Sequence, residues 1–180
     1  MSGPWASPEQ LQRHLRLDAI DIDTAVQLLA DAEDVIRAAL GQTVDQVLGD
    51  TAELVGSGTT LLLLPELPVT AVTAVTIDGT TVPASGYRWN RHGALTRLDG
   101  VWPLDAVVRV TNDHGWSDLP TAFTRVCVQV AGRSWVNPAG VDAESLGDRS
   151  ITYAKGRSGE ELTSYEEGLL ARYSSGYNSR

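Results

Sequence analysis

Apolar residues keep two different rhythms along this chain. From Thr24 to Leu40 they recur at helical spacing: Ala25, Val26, Leu28, Leu29, Ala32, Val35, Ile36, Ala39 and Leu40 form a stripe, with Asp31 and Asp34 off it. From Gln42 to Asn112 the rhythm shortens. Val, Thr and Leu dominate there, and Gly, Pro, Asn and Asp punctuate at short intervals, which predicts antiparallel strands. The expected strands are Thr60–Leu64, Val69–Ile77, Tyr87–Trp89, Ala94–Leu98 and Val107–Thr111. Asp78-Gly79 predicts a tight hairpin, and Asn90-Arg91-His92-Gly93 a longer one.

Helical spacing then returns. Leu119, Phe123, Val126, Val130 and Ala131 make a buried stripe, while Arg125, Gln129 and Arg133 fall on a polar one. Asp118 is its expected cap, and Asn137-Pro138 its end. Ser7-Pro8-Glu9-Gln10, Thr24-Ala25-Val26-Gln27 and Ser158-Gly159-Glu160-Glu161 each carry the spacing of a capping box. The last helix shows Leu162, Tyr165, Leu169 and Tyr173 on its apolar side. The prediction is therefore one α+β domain over residues 1–180. Helices at about 8–17, 24–40, 119–135 and 159–173 make a mainly helical bundle, with a small antiparallel β subdomain inserted at about 42–112. An extended segment at about 139–157 completes it, and within that segment Ile151-Thr152-Tyr153 reads as a short strand without a partner.

Composition narrows the function. Hydrophobic residues are 42% and charged residues 21% of the 180, ordinary for a globular chain. No apolar run approaches the ~20 residues of a membrane span, and no basic-then-apolar stretch at the start suggests a signal peptide. The single Cys127 leaves no internal disulfide to form. Net charge is −9, and residues 1–60 alone hold ten acids and three bases. Such a chain repels nucleic acid, because gripping phosphates needs clustered Lys and Arg.

Candidate chemistry is sparse. His14, His92 and His114 show no metal-ligand spacing, and one cysteine supplies no thiolate cluster. Asp18, Asp21 and Asp23 crowd a helix entry, where caps and a dipole contact explain them better than a cation does. Asp113-His114 with Ser117 or Ser134 lacks a Gly-x-Ser-x-Gly elbow, and Gly56-Ser57-Gly58 lacks the Lys of a phosphate loop. Cys127 reads as a small core residue. Trp89, Trp102, Trp116 and Trp135 suit core corners or, alternatively, the stacking platform of a small carbohydrate-binding module. No coherent active site, metal or cofactor emerges, and no enzymatic activity is expected.

The order of the pieces carries a resemblance. A helix rich in Ala precedes "LLLLPELPVTAVTAVTIDG"; then come "YRWNRHGAL", "VRVTNDHGW", "LPTAFTRVCVQVAGRSW" and "ESLGDRSITY" before a final helix. Together, over about Asp23 to Tyr173, they resemble the head–tail connector, or adaptor, proteins of long-tailed bacteriophages. The resemblance implies a structural virion protein at the head–tail junction, assembled in the host cytoplasm. It implies a homo-oligomeric ring, typically a dodecamer, docked on the portal protein and offering a platform to the next neck (stopper) protein. Double-stranded DNA would pass through without sequence-specific binding. The interface residues it implies are Leu146, Gly147, Asp148, Arg149, Ser150, Ile151, Thr152 and Tyr153, with Tyr165 and Leu169. A strand without a partner in its own chain can pair with another chain. An acidic wall lets a duplex slide, so Asp31, Glu33 and Asp34 are expected to face the channel. Another neck or tail-completion protein is the neighbouring alternative.

Overall fold

Ser7 starts the first helix by the reciprocal capping that its spacing to Gln10 predicts. Its hydroxyl accepts the Gln10 N–H at 3.3 Å, and the Gln10 side chain accepts the Ser7 N–H at 2.8 Å. The computed structural model describes residues 3–137, 143–146, 149–152 and 161–174. In it this helix, α1, runs Pro8–Leu15. The second, α2, runs Ile22–Leu40 and starts ahead of Thr24. Asp21 takes the capping role instead: its carboxylate accepts the Thr24 N–H at 2.8 Å. A carboxylate serves both the free N–H groups and the positive end of the helix dipole.

The third helix, α3, is Thr121–Val136. Pro120 precedes it, and no side chain caps it, so the expected role of Asp118 does not hold. The fourth, α4, is Ser164–Leu170 and tightens into a 3-10 turn over Ala171–Tyr173. Its capping box is Thr163 with Glu166, five residues beyond the expected Ser158, which lies outside the described residues.

The chain divides into two compact units, residues 1–40 with 119–172 and residues 41–118 with 173–180. The first is helical. Leu11, Ala25, Leu29, Ala32, Ile36, Phe123, Val126, Cys127, Val130, Ala131 and Leu170 are buried in it. Small residues let its helices approach closely: a Cβ on Gly132 of α3 would lie 3.0 Å from the His14 ring. Trp5 packs edge-on against Phe123 at 5.4 Å, and the Arg37 guanidinium stands 4.4 Å above its ring.

The second unit is built of strands: β1 (Val47–Val55), β2 (Leu61–Leu63), β3 (Val69–Ile77), β4 (Thr80–Thr81), β5 (Tyr87–Trp89), β6 (Ala94–Arg97) and β7 (Val107–His114). One sheet has the order β1-β7-β3-β4, the other β2-β6-β5. Ile77 pairs with Thr80 across Asp78-Gly79, and both turn residues have positive φ, as a two-residue hairpin requires. Leu62, Leu64, Val69, Val75, Val82, Tyr87, Leu95, Trp102, Val108 and Val110 form the core of this unit. Trp102 is fully buried, and its indole N–H is shared between the Thr60 and Leu95 carbonyls at 3.1 and 3.3 Å.

β1 was not expected. It is an edge strand paired only with β7, with Glu53 opposite Arg109 and Val55 opposite Val107. Its burial alternates faintly, because an edge strand leaves much of both faces in water. The fold is α+β, but it is not a mainly helical bundle with a small insertion. The strands own a unit with two sheets and a hydrophobic core of their own.

Candidate functional site

The segment between α3 and α4 holds a hairpin. Strand β8 (Ala143–Leu146) pairs antiparallel with β9 (Arg149–Thr152), placing Leu146 opposite Arg149, Ser145 opposite Ser150, Glu144 opposite Ile151 and Ala143 opposite Thr152. The expected strand without a partner is therefore corrected: its backbone is paired within the chain, by a neighbour that the Ala-Glu-Ser-Leu pattern does not announce. Gly147, Asp148 and Tyr153 lie outside the described residues.

After the hairpin in the chain, α4 is clamped to α3 by one ion pair. Arg133 donates to both Glu166 oxygens, at 2.6 and 3.1 Å, and to the Glu161 carbonyl at 3.0 Å. Only 3% of the Glu166 side chain is exposed. Burial alone would raise the Glu166 pKa. Hydrogen bonds from Arg133 and Thr163, together with the guanidinium charge, outweigh it and hold the carboxyl below its ordinary value. This turns the expected face of α4 by about one residue, leaving Leu162 and Leu169 half-buried. Glu166 and Leu170 turn inward, and Tyr165 is 58% exposed. The Arg125 guanidinium stands 5.9 Å from the Tyr165 ring.

The three candidate channel acids separate. Asp31 is exposed and accepts a hydrogen bond from Gln27 at 2.8 Å; Asp34 is exposed and pairs with Arg37 at 3.2 Å. Glu33 is buried. It accepts the Trp5 N–H at 2.7 Å and an Arg37 N–H at 3.0 Å. It binds its own chain, because it falls on the edge of the buried stripe one turn after Leu29.

Two of the open depressions, each within a single unit, carry candidate residues. The larger, about 720 Å3, is a groove between α1 and α3, lined by Arg13, His14 and Arg125 with Gln10, Gln129, Val128 and two threonines. Arg125 and Gln129 were legible as a polar stripe, but their meeting with α1 was not. The other, about 430 Å3, lies in the strand unit beside Trp89, Arg91 and Trp116. Trp89 is 37% exposed and Trp116 half-buried, whereas Trp102 belongs wholly to the core and Trp135 is half-buried on α3. Among the described residues no three His, Cys, Asp or Glu side chains gather as a metal site. No helix there is long and apolar enough to cross a membrane. Cys127 is buried, its thiol donating to the Leu29 carbonyl at 3.6 Å.

No protein-family model matches the chain, and no curated protein matches it in sequence. Its fold, by contrast, is shared with parts of a gene transfer agent (GTA). A chain of the virion of the native GTA particle matches with a TM-score of 0.54 at 19% identity, over 83% of this chain and 92% of that one. A chain from the neck of the empty GTA particle, computed with C6 symmetry, gives 0.54 at 17% identity over 93% and 88%. One from the neck of the native particle, computed with C12 symmetry, gives 0.53 at 16% identity over 93% and 87%. At such identities the likeness is one of fold.

Proposed function

We propose that this chain is a structural neck protein of a phage-like particle, and within that class a head–tail adaptor. It forms a homo-oligomeric ring, typically of twelve copies, that docks on the portal, extends the DNA channel and presents a platform to the next neck protein. The observation that carries this reading is that nearly the whole chain shares its fold with nearly the whole of chains from GTA necks. Those necks were computed with C6 and C12 symmetry, and rotational symmetry of this kind is what a closed ring of like subunits produces. The role needs shape and surface rather than bond-making.

The residues follow from the reading. The segment from Leu146 to Tyr153, with Tyr165 and Leu169, meets the portal or a neighbouring copy. Asp31 and Asp34 face the passage, where weak phosphate affinity favours sliding. Co-expression with a portal protein, followed by sizing and negative-stain imaging, tests it. The full chain is expected to copurify with the portal as a ring, and a chain ending at Glu144 to lose that binding. No ring with any cognate portal would overturn the reading. Unchanged binding without residues 145–180 would overturn the interface.

A further inference from the structure

The helical unit carries a groove and a ridge of matching length and opposite charge. The groove between α1 and α3 is lined by Arg13, His14 and Arg125, and no acid lines it. Arg125 makes no ion pair among the described residues; its guanidinium stands by the Tyr165 ring. The charged lining of the groove is therefore cationic throughout.

The ridge is on α2. Ile22 and Val26 are 51% and 52% exposed, and Ala30 one turn further is exposed too; Val26 and Ala30 also border a small hollow that they share with Gly3, Pro4 and Ala6 of the same chain. Spaced four apart, they form one apolar row. Residues 17–36 around them contain six acids and no base. Asp21 carries its charge firmly, since hydrogen bonds from Thr24 hold its pKa below the ordinary value. Ile22 to Ala30 and Thr121 to Gln129 each cover eight helical steps, about 12 Å.

We propose that the α2 ridge of one copy lies in the α1–α3 groove of the next, with Asp21 and Asp23 facing that neighbour's Arg13 and Arg125. This rests on the ring reading and names its subunit contact. Ridge and groove are different surfaces, so the contact is head-to-tail, the kind that repeats into a ring. It is also compatible with an acidic passage, because Asp31 lies about 140° round the helix from Val26. A DNA backbone is the weaker occupant: two arginines neutralise few phosphates, and a chain of net charge −9 repels the rest of the duplex.

Cross-linking tests the contact. Val26→Cys and Thr124→Cys are made in separate full-length chains, mixed at high concentration and treated with a short bismaleimide. Cys127, buried, stays silent. The mixed pair should cross-link about tenfold more than either variant alone, and Arg13→Glu with Arg125→Glu in the Thr124→Cys chain should remove that excess. Asp21→Arg with Asp23→Arg in the Val26→Cys chain should restore it. No excess in the mixed pair overturns the proposal. Rings seen by sedimentation or with the portal, but without this cross-link, leave the ring reading standing and sink only this contact. A groove whose charge reversal abolishes anisotropy-detected binding to a labelled duplex, without the mixed cross-link, assigns it to DNA and overturns the proposal equally.

Discussion

Replacing Arg133 with Met removes the clamp between α3 and α4 at nearly constant volume. Three hydrogen bonds disappear, two to Glu166 and one to the Glu161 carbonyl. What remains is a carboxylate with 3% side-chain exposure and no cation. Breaking a buried pair from one side costs about 3–5 kcal/mol, because the surviving charge is uncompensated. Glu166 can escape by taking a proton. The interval from its ordinary value of 4.5 to pH 7 sets that escape at about 3.4 kcal/mol, at about 1.36 kcal/mol per pH unit. The expected loss at pH 7 is therefore about 3 kcal/mol.

The pH dependence carries a sign. Glu166 has a depressed pKa in the folded chain. Its stabilisation is full above the unfolded value and is lost as pH falls through the folded one. The gap between wild type and Arg133→Met should thus narrow as the pH falls from 7 through the folded value. Urea unfolding followed by far-UV circular dichroism measures it, and hydrogen exchange over residues 164–170 localises it. The pair Arg133→Met with Glu166→Leu should recover most of the loss, since an apolar pair replaces an ionic one at little net cost. A loss below about 1 kcal/mol at pH 7 would refute the reasoning. So would a loss that fails to shrink as the pH is lowered.

Three further outcomes follow from packing. Trp102→Ala should cost about 4 kcal/mol in chemical denaturation, since it empties the centre of the strand unit and removes the indole N–H that two carbonyls share; a cost near 1 kcal/mol would contradict that core. Gly115→Ala should abolish or gravely weaken folding, because a Cβ there would lie 2.1 Å from the Asp45 carbonyl oxygen at a φ of +82. Gly79→Ala, with the same φ but open space, should cost only about 1–2 kcal/mol by the same assay, and equal effects at the two sites would refute the contrast. The Cys127 thiol, pushed up to about 12 chiefly by burial and then by the Glu33 charge, should ignore a colorimetric disulfide reagent at pH 8 until denaturant is added. Stoichiometric reaction in the native protein would place the thiol at the surface.

The sequence alone determined the local elements wherever a repeat or a turn residue decides the backbone. Ser7 with Gln10 announces α1, the apolar stripe from Ala25 to Leu40 announces α2, and Asp78-Gly79 announces the β3–β4 hairpin, because each acts over a few residues. Chain order sufficed for the resemblance to a neck protein. Only the tertiary structure showed that Thr163 with Glu166 caps α4, where Glu166 is drawn inward by Arg133, 33 positions away. It also decided that Glu33 is buried beneath Trp5 rather than exposed with Asp31 and Asp34. The edge strand β1, the partner of β9 and the cationic groove of Arg13 with Arg125 were likewise invisible in sequence. Each depends on which distant groups share a hydrogen bond or a charge, and local periodicity carries no record of that.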